Sequence, residues 1–185
     1  MTTVSVVYHS GYGHTKAIAE SVQKGAASVA GTTVNFMAVD AVDWDALNAS
    51  HAIIFGSPTY MGGPSGQFKT FADATSKAWF TGAWKDKIAA GFTVSSSRNG
   101  DKASTLSYFQ TLAMQHHMLW VGTGMMPGNN SSKGSEADLN RLGASAGLMA
   151  QGNSDQGVEG IHESDFRTAE AFGKRVAEAT ARWNK

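Results

Sequence analysis

The first segment whose residue types suggest chemistry is the hexapeptide Ser10-Gly11-Tyr12-Gly13-His14-Thr15. It follows a short apolar, β-branched run and precedes residues with helical spacing, so it connects a buried strand to a helix. Its glycines allow close backbone approach, and the amides and dipole of a helix N-terminus favour a phosphate group. We therefore predict a phosphate-binding loop here, with a plain glycine-rich turn as the alternative.

The same loop argues against two other nucleotide-binding motifs. A Walker loop requires the pattern Gly-x-x-x-x-Gly-Lys-Ser/Thr, which is absent, and a dinucleotide fingerprint requires a glycine where Lys16 stands. No lysine or arginine occurs in the loop before Lys16. The loop therefore suits a phosphomonoester held by amides and hydroxyls rather than by a lysine side chain.

A second segment combines rigid prolines with glycines that expose the backbone, and it begins with Pro58-Thr59-Tyr60-Met61-Gly62. Such a segment can wall a flat ring, because its amides can bond to the heteroatoms of an isoalloxazine and stabilise the charge gained on reduction. Tyr60 and Met61 offer apolar contact to the same ring. The alternative is a turn followed by a helix with Ser65 as its N-cap, and both interpretations can hold together.

A third segment is rich in hydroxyl and amide groups, and it reads Ser95-Ser96-Ser97-Arg98-Asn99-Gly100-Asp101-Lys102. These groups suit a pyrimidine edge or a ribityl chain, and Arg98 is a candidate for contact with a 2′-phosphate. The alternative is an ordinary solvated loop, since polar loops are common on protein surfaces.

Strand-like and helical runs alternate around these three segments. The predicted strands are residues 4–8, 33–39, 52–56, 88–94 and 119–121, and the predicted helices include a short one over 43–48 and a final one over 164–182 capped by Ser164. Nearly continuous apolar strands indicate a parallel sheet covered by helices on both faces, which is an α/β doubly wound fold. Because ligands bind beyond the carboxyl ends of such strands, the three segments are expected to share one site.

Composition narrows the class of protein. The chain has 185 residues, 42% hydrophobic and 16% charged, which favours one compact domain over residues 1–185. Its 15 basic and 15 acidic residues balance, so we expect neither a nucleic acid nor a membrane as partner. The absence of cysteine excludes disulfides, thiol catalysis and Cys-ligated metals. No targeting segment or spanning apolar stretch is evident, which predicts a cytoplasmic protein.

Several longer peptides match a known family. They are Tyr8-His9-Ser10-Gly11-Tyr12-Gly13-His14-Thr15, Gly56-Ser57-Pro58-Thr59-Tyr60-Met61-Gly62, Ser65-Gly66-Gln67 and Gln115-His116-His117-Met118. Together they resemble the flavodoxin-like superfamily, in particular WrbA-type NAD(P)H:quinone oxidoreductases and their shorter FMN-reductase relatives, over nearly the full chain. The resemblance implies a three-layer sandwich with a five-stranded parallel sheet of order 2-1-3-4-5, and FMN as cofactor.

The resemblance also implies roles for individual residues. Ser10 and residues 12–15 would bind the phosphate, residues 58–62 the isoalloxazine, and residues 95–100 the ring and ribityl side. His116 resembles a histidine near the far edge of the flavin, with a core or surface histidine as the alternative. Trp79 resembles an aromatic residue that lines the substrate pocket, with simple packing at a helix end as the alternative.

The function implied by the resemblance is two-electron transfer from NAD(P)H to a quinone-like acceptor by a ping-pong mechanism, in a homodimer or homotetramer. The third segment lacks the all-glycine run typical of WrbA, and the connection before the third strand is short, so substrate preference and tetramer formation stay open. The competing interpretation is a flavodoxin-type electron carrier. Such carriers are usually strongly acidic, whereas this chain has a formal charge of zero.

Two further patterns are interpreted as coincidental. Gly143-Ala144-Ser145-Ala146-Gly147 matches a nucleophile elbow, with Asp155 and His162 following in the order of a catalytic triad. An elbow requires a strand before the serine, whereas residues 138–142 are predicted to be helical. His116 and His117 are adjacent and would point apart on a helix, so we predict no metal site.

Overall fold

Strands and helices alternate along the chain, and the computed structural model describes residues 1–184. The strands are β1 (Thr2–Tyr8), β2 (Thr32–Ala38), β3 (Ala52–Tyr60), β4 (Gly63–Pro64), β5 (Ile88–Ser95), β6 (Leu119–Trp120) and β7 (Leu148–Gln151). The helices are α1 (His14–Ala27), α2 (Trp44–Ala49), α3 (Gly66–Ala74), α4 (Ser76–Thr81), α5 (Lys102–Gln115) and α6 (Glu163–Trp183). Within residues 1–184, no helix combines the length and apolar character needed to cross a membrane.

The sheet has the order β2-β1-β3-β5-β6 with parallel neighbours, which confirms the predicted order 2-1-3-4-5. Its fifth position differs from the expectation because two short strands share it. β6 pairs with β5 at Ile88 and Ala89, whereas β7 pairs with β5 from Phe92 to Ser95. The predicted fifth strand corresponds to β6 alone, and β7 occupies the rest of the fifth position. Residues 121–147 lie outside the sheet between β6 and β7.

Helices cover both faces of the sheet. Ile54 of β3 belongs to a core cluster that includes Ile18 of α1 and Phe172 of α6. The next residue, Phe55, belongs to a second cluster that includes Phe109 of α5. Successive residues of a strand point to opposite faces, so the apolar run of β3 fills both cores at once. This confirms the predicted three-layer α/β arrangement.

β3 is longer than the sequence indicated. The predicted strand ended at Gly56, whereas β3 runs to Tyr60 and then turns back as β4. Pro58 suggested a strand end, but a proline only removes one amide donor and remains compatible with extended backbone. The segment that begins at Pro58 therefore forms the end of a hairpin that continues the sheet. Its first residue, Pro58, pairs with Val94 of β5.

Two smaller expectations are wrong. Residues 138–142 form turns rather than a helix. The N-cap of α6 is His162, whose ring accepts a hydrogen bond from the backbone N–H of Ser164. Ser164 lies inside the first turn instead, because its hydroxyl donates to the carbonyl of Glu136 at 2.8 Å.

Candidate functional site

The carboxyl ends of β1, β3, β5 and β7 meet at one edge of the sheet, since these strands run parallel. A cavity of about 540 Å³ opens at this edge. It is lined by Tyr12, His14, Thr15, Pro58, Thr59, Tyr60, Val94, Ser95, Ser96, Gly152, Ser154 and Gln156. The volume lies in the range of small-molecule sites, and the position is where parallel sheets bind ligands.

The loop before α1 is built to present backbone amides. The Ser10 hydroxyl accepts hydrogen bonds from the N–H groups of Gly13 and Lys16, each at 3.1 Å, which folds the loop tightly. Gly13 is the N-cap of α1 with φ of 94°, and it has no side chain that could accept the first-turn amides. The amides of His14 and Thr15 are therefore available to an anion at the positive end of the helix dipole.

The imidazole of His14 bonds to backbone carbonyls of the chain. Its Nε2 lies 3.0 Å from the carbonyl of Gln156 and 2.8 Å from that of Gly157. Carbonyls only accept, so Nε2 carries the proton and donates to this pair. The ring thus fastens residues 156–157 to the start of α1, and any contact of His14 with a phosphate would come from its backbone amide.

The hairpin after β3 forms the opposite wall. Its two-residue turn consists of Met61 and Gly62, with φ of 47° and 81°, between the paired residues Tyr60 and Gly63. Positive φ at both positions matches the turn type that suits the twist of a hairpin. Pro58, Thr59 and Tyr60 line the cavity, whereas Met61 and Gly62 lie at the tip and do not.

Buried hydroxyls hold this wall in place. Ser57 is fully buried, and its Oγ accepts from the N–H of Ser65 at 2.9 Å, while Ser65 caps α3 as the sequence predicted. The Thr59 hydroxyl lies 2.8 Å from those of both Thr93 and Thr105. A buried polar group whose hydrogen bonds are all satisfied fixes the conformation around it, so this wall of the cavity is preorganised.

Two tyrosines flank the cavity. Tyr12 and Tyr60 form an edge-to-face pair with ring centroids 6.4 Å apart. A Cβ on Gly11 would lie 2.6 Å from the Tyr60 hydroxyl, so any larger residue at position 11 would displace the Tyr60 side chain from its place over the first loop. Burial, followed by the proximity of Tyr12, raises the pKa of Tyr60, and the phenol stays neutral. The pair offers an apolar wall of the kind a flat ring needs.

The third segment reaches the cavity only with its first two residues. Ser95 and Ser96 line it, whereas Ser97, Arg98, Asn99 and Gly100 are not among its lining residues. Arg98 pairs with Glu136 at 2.7 Å in an adjoining cavity. The chain turns at Gly100, which has φ of 54°, and contact of residues 97–100 with a ligand stays a prediction.

Sequence reasoning missed a fourth segment, which contributes Gly152, Ser154 and Gln156 to the cavity. It follows β7, and β7 was not predicted, although an apolar run followed by Gly152-Asn153-Ser154 repeats the pattern seen after the other strands. The buried carboxylate of Asp165 holds β7, since it accepts from the amide of Gln151 at 2.9 Å and from Arg141 at 2.8 and 2.9 Å.

His116 and Trp79 are not among the residues that line this cavity in one chain, and their contact with a flavin or substrate stays a prediction. α5 starts beside Ser95 and runs back along the sheet, which puts its C-cap, His116, at the opposite edge. His116 is buried, with Nε2 at 2.8 Å from the Thr75 hydroxyl and its ring 4.3 Å from that of Trp84. Trp79 lies on α4 with 54% of its surface exposed.

The pattern around Ser145 forms no nucleophile elbow. Ser145 is exposed in a bend, and no strand precedes it. The Nδ1 atom of His162 contacts the Ser164 hydroxyl at 2.9 Å rather than Ser145. The geometry around Ser145 therefore provides no base that would activate this serine.

The residues around the cavity fit FMN. The uncapped amides of α1 suit its phosphate, the tyrosines and Pro58 suit a flat ring, and the hydroxyls of Ser95 and Ser96 suit polar edges. The group itself would supply hydride and electron transfer, which no side chain here can perform.

The known proteins that are similar to this chain support FMN as the cofactor. A family model described as NADPH-dependent FMN reductase matches residues 39–132. The chain is 44% identical over 177 residues to flavodoxin FldP of Pseudomonas aeruginosa (strain UCBPP-PA14), with 96% of each chain covered. It resembles the structure of a flavodoxin, WrbA-like protein from Agrobacterium tumefaciens with a TM-score of 0.78 and 42% identity, covering 98% and 99% of the two chains. An archaeal flavodoxin, 19% identical with a TM-score of 0.67 over 97% and 99%, shares the fold.

Proposed function

Because this chain belongs to the flavodoxin-like family of FMN-binding oxidoreductases, which includes WrbA-like proteins, we propose that it transfers two electrons from NAD(P)H to a quinone-like acceptor through bound FMN. The observation that carries the proposal is the cavity at the carboxyl edge, which joins an amide-rich helix N-terminus to an aromatic wall. Donor and acceptor would use the open side of this cavity in turn, which is the basis of a ping-pong reaction.

The roles of the residues follow from their positions. The loop of residues 10–15 would bind the phosphate, and the hairpin wall formed by Pro58, Thr59 and Tyr60 would orient the ring. Ser95 and Ser96 would bond to the polar edge of the ring or to the ribityl chain. The protein would contribute binding, orientation and exclusion of water, and no side-chain nucleophile is required.

One cuvette experiment tests the proposal. Purified protein is reconstituted with FMN, its absorbance spectrum is recorded, and NAD(P)H and then a quinone are added. We expect the flavin absorbance to be lost with NAD(P)H and restored by the quinone. Protein that stays colourless after reconstitution, or that shows no quinone-dependent oxidation of NAD(P)H, would contradict the proposal.

The second candidate function is electron carriage without substrate turnover. It is favoured by the name of the 44% identical relative, which is a flavodoxin. It is disfavoured by the formal charge of zero, since charge fields steer the docking of carriers on their partners. A reductive titration that resolves two separate one-electron steps, together with negligible oxidation of NAD(P)H, would support the carrier.

We also propose that the chain forms a homodimer or homotetramer. Trp79 and Phe80 on α4 are 54% and 84% exposed, and neighbouring large apolar side chains often mark contact surfaces between proteins. Light scattering coupled to gel filtration measures the mass directly. A monomer at micromolar concentration would contradict the proposal.

A further inference from the structure

Lys102, the first residue of α5, is fully buried next to the cavity wall. Its Nζ donates to the Ser95 hydroxyl at 2.8 Å and to the carbonyl of Ser97 at 2.6 Å. Lysine is almost never fully buried unless its charge is paired. The packing of α5 alone therefore does not explain why the Lys102 ammonium group is buried.

No acidic side chain within residues 1–184 forms an ion pair with Lys102. The acidic side chain whose charge acts on Lys102 is Asp165 of α6. Its carboxylate already accepts hydrogen bonds from Arg141 and from the amide of Gln151. Glu136 likewise pairs with Arg141 and Arg98. Burial lowers the pKa of Lys102 to about 8, with Asp165 opposing this shift and Arg141 adding to it. The ammonium thus persists at neutral pH with an uncompensated charge.

The position of this charge relative to the cavity is specific. Ser95, which accepts its hydrogen bond, lines the cavity, so Nζ lies one side chain behind the wall. A Cβ on Gly100 would come within 2.1 Å of the Ser95 Oγ, and only glycine lets the loop fold over this pair. Ser95 and Ser96 belong to a different wall from the loop of residues 10–15, so the charge lies away from the proposed phosphate loop.

We propose that Lys102 is a positioning residue that holds the Ser95 wall and supplies positive charge favouring the reduced form of bound FMN over the oxidised form. When the isoalloxazine takes up two electrons and one proton from a reductant, it gains one negative charge. A fixed positive charge in a low-dielectric wall stabilises that charge without reorganisation. The proposal rests on the FMN site of the proposed function, but it is independent of donor and acceptor.

The test compares Lys102→Met, Lys102→Arg and the wild type as FMN-loaded proteins, with dithionite as reductant and a reference dye. Lys133→Met removes the same charge from an exposed loop and serves as the matched control. We expect Lys102→Met to lose about tenfold in the preference for reduced over oxidised FMN, which is a fall of about 30 mV in a two-electron potential. Lys102→Arg should restore most of the preference, and Lys133→Met should match the wild type.

A second measurement uses the wild type, with Lys102→Arg as the control, and needs no variant that loses the charge. Negative charge on the ring raises the pKa of Lys102, so reduction at pH 8–9 should draw an extra fraction of a proton from unbuffered solution, and Lys102→Arg should not. The proposal is overturned if Lys102→Met has the same potential as the wild type, whether or not its apoprotein is less stable. It is also overturned if reduction of the wild type draws no extra proton. Failure of quinone reduction leaves it standing, whereas a wild type that binds no FMN overturns both.

Discussion

Ser10 organises the first loop through a single hydroxyl. That oxygen accepts from Gly13 and Lys16, so it shapes the loop from behind while the amides of His14 and Thr15 remain free to bind. Loss of these two bonds should loosen the loop without exposing any part of the core.

We expect Ser10→Ala to weaken FMN binding about tenfold, because each bond contributes about 1 kcal/mol to the folded loop. Quenching of flavin fluorescence on titration with apoprotein measures the affinity. Riboflavin, which lacks the phosphate, is the control ligand, and its affinity should not change. An equal loss for both ligands would contradict a phosphate role for this loop.

The proton on His116 can be assigned from its neighbours. The Thr75 hydroxyl donates its only proton to the carbonyl of Ala72 at 2.7 Å, so it accepts from Nε2–H of His116. Nδ1 is then unprotonated, and it is buried without a partner among residues 1–184. Burial, followed by the charge of His117, lowers the pKa of His116 to about 4.

This lowered pKa predicts a loss of stability in acid. In the unfolded chain His116 titrates near pH 6.5. Below that pH the unfolded chain binds a proton on His116, whereas the folded chain does not bind it until the pH approaches the lowered pKa. The stabilisation is complete above about pH 6.5 and is lost as the pH falls towards about 4, by up to about 3 kcal/mol. Urea unfolding at pH 7, 5.5 and 4 should show a flatter profile for His116→Gln than for the wild type. Parallel profiles would contradict the assignment.

At the scale of elements, the β3–β4 hairpin depends on backbone conformation rather than on packing. A Cβ at Gly62 or at Gly63 meets no atom within 4 Å, but only Gly62 has positive φ, at 81°. Side chains disfavour that region by about 1–2 kcal/mol. The two glycines therefore form a matched pair that differs in conformation alone.

We expect Gly62→Ala to destabilise the apoprotein by about 1 kcal/mol and to weaken FMN binding, since the hairpin carries Pro58, Thr59 and Tyr60 into the cavity. Gly63→Ala should leave both properties close to wild type. Thermal unfolding and FMN titration of the two variants measure these effects. Equal effects in both variants would show that hairpin conformation does not control the site.

At the scale of the whole molecule, α1 and α6 cover one face of the sheet in unusually close contact. A Cβ on Gly173 would lie 2.0 Å from the carbonyl oxygen of Val22, and one on Gly25 would lie 1.9 Å from that of Glu170. The two backbones approach this closely because neither glycine carries a side chain. Each helix thereby supports β1 and β3, from which the site loops extend.

The contact reverses the usual effect of a glycine-to-alanine change. Alanine normally stabilises a helix by about 1 kcal/mol relative to glycine. An alanine at position 173 would instead force α1 and α6 apart, because its Cβ would overlap the carbonyl oxygen of Val22. We expect Gly173→Ala to destabilise the protein by about 1–3 kcal/mol in urea unfolding. Gly66→Ala in α3, where a Cβ meets nothing within 4 Å, is the control and should be neutral or stabilising. A stabilised Gly173→Ala would disprove the close contact.

Local patterns of the sequence predicted most elements because apolar runs and caps act over a few residues. The runs that became β1, β2 and β5 were located to within two residues at each end, and Ser65 was recognised as a cap. The end of β3 was misjudged because Pro58 and Gly56 resemble loop residues unless the pairing with β5 is known. The cap of α6 was misassigned because Glu136, distant in sequence, takes the Ser164 hydroxyl.

The sequence by itself predicted the fold class, the strand order that the family resemblance implies, and a candidate phosphate loop, since each depends on residues adjacent in the chain. Tertiary structure alone decided the fourth wall of the cavity, because β7 joins the sheet only after residues 121–147 have left it, and Arg141 and Asp165 fasten it there. It also decided that His116 lies at the far edge and that Lys102 lies behind Ser95. The direction in which α5 runs over the sheet sets both positions, and spacing along the chain does not contain that direction.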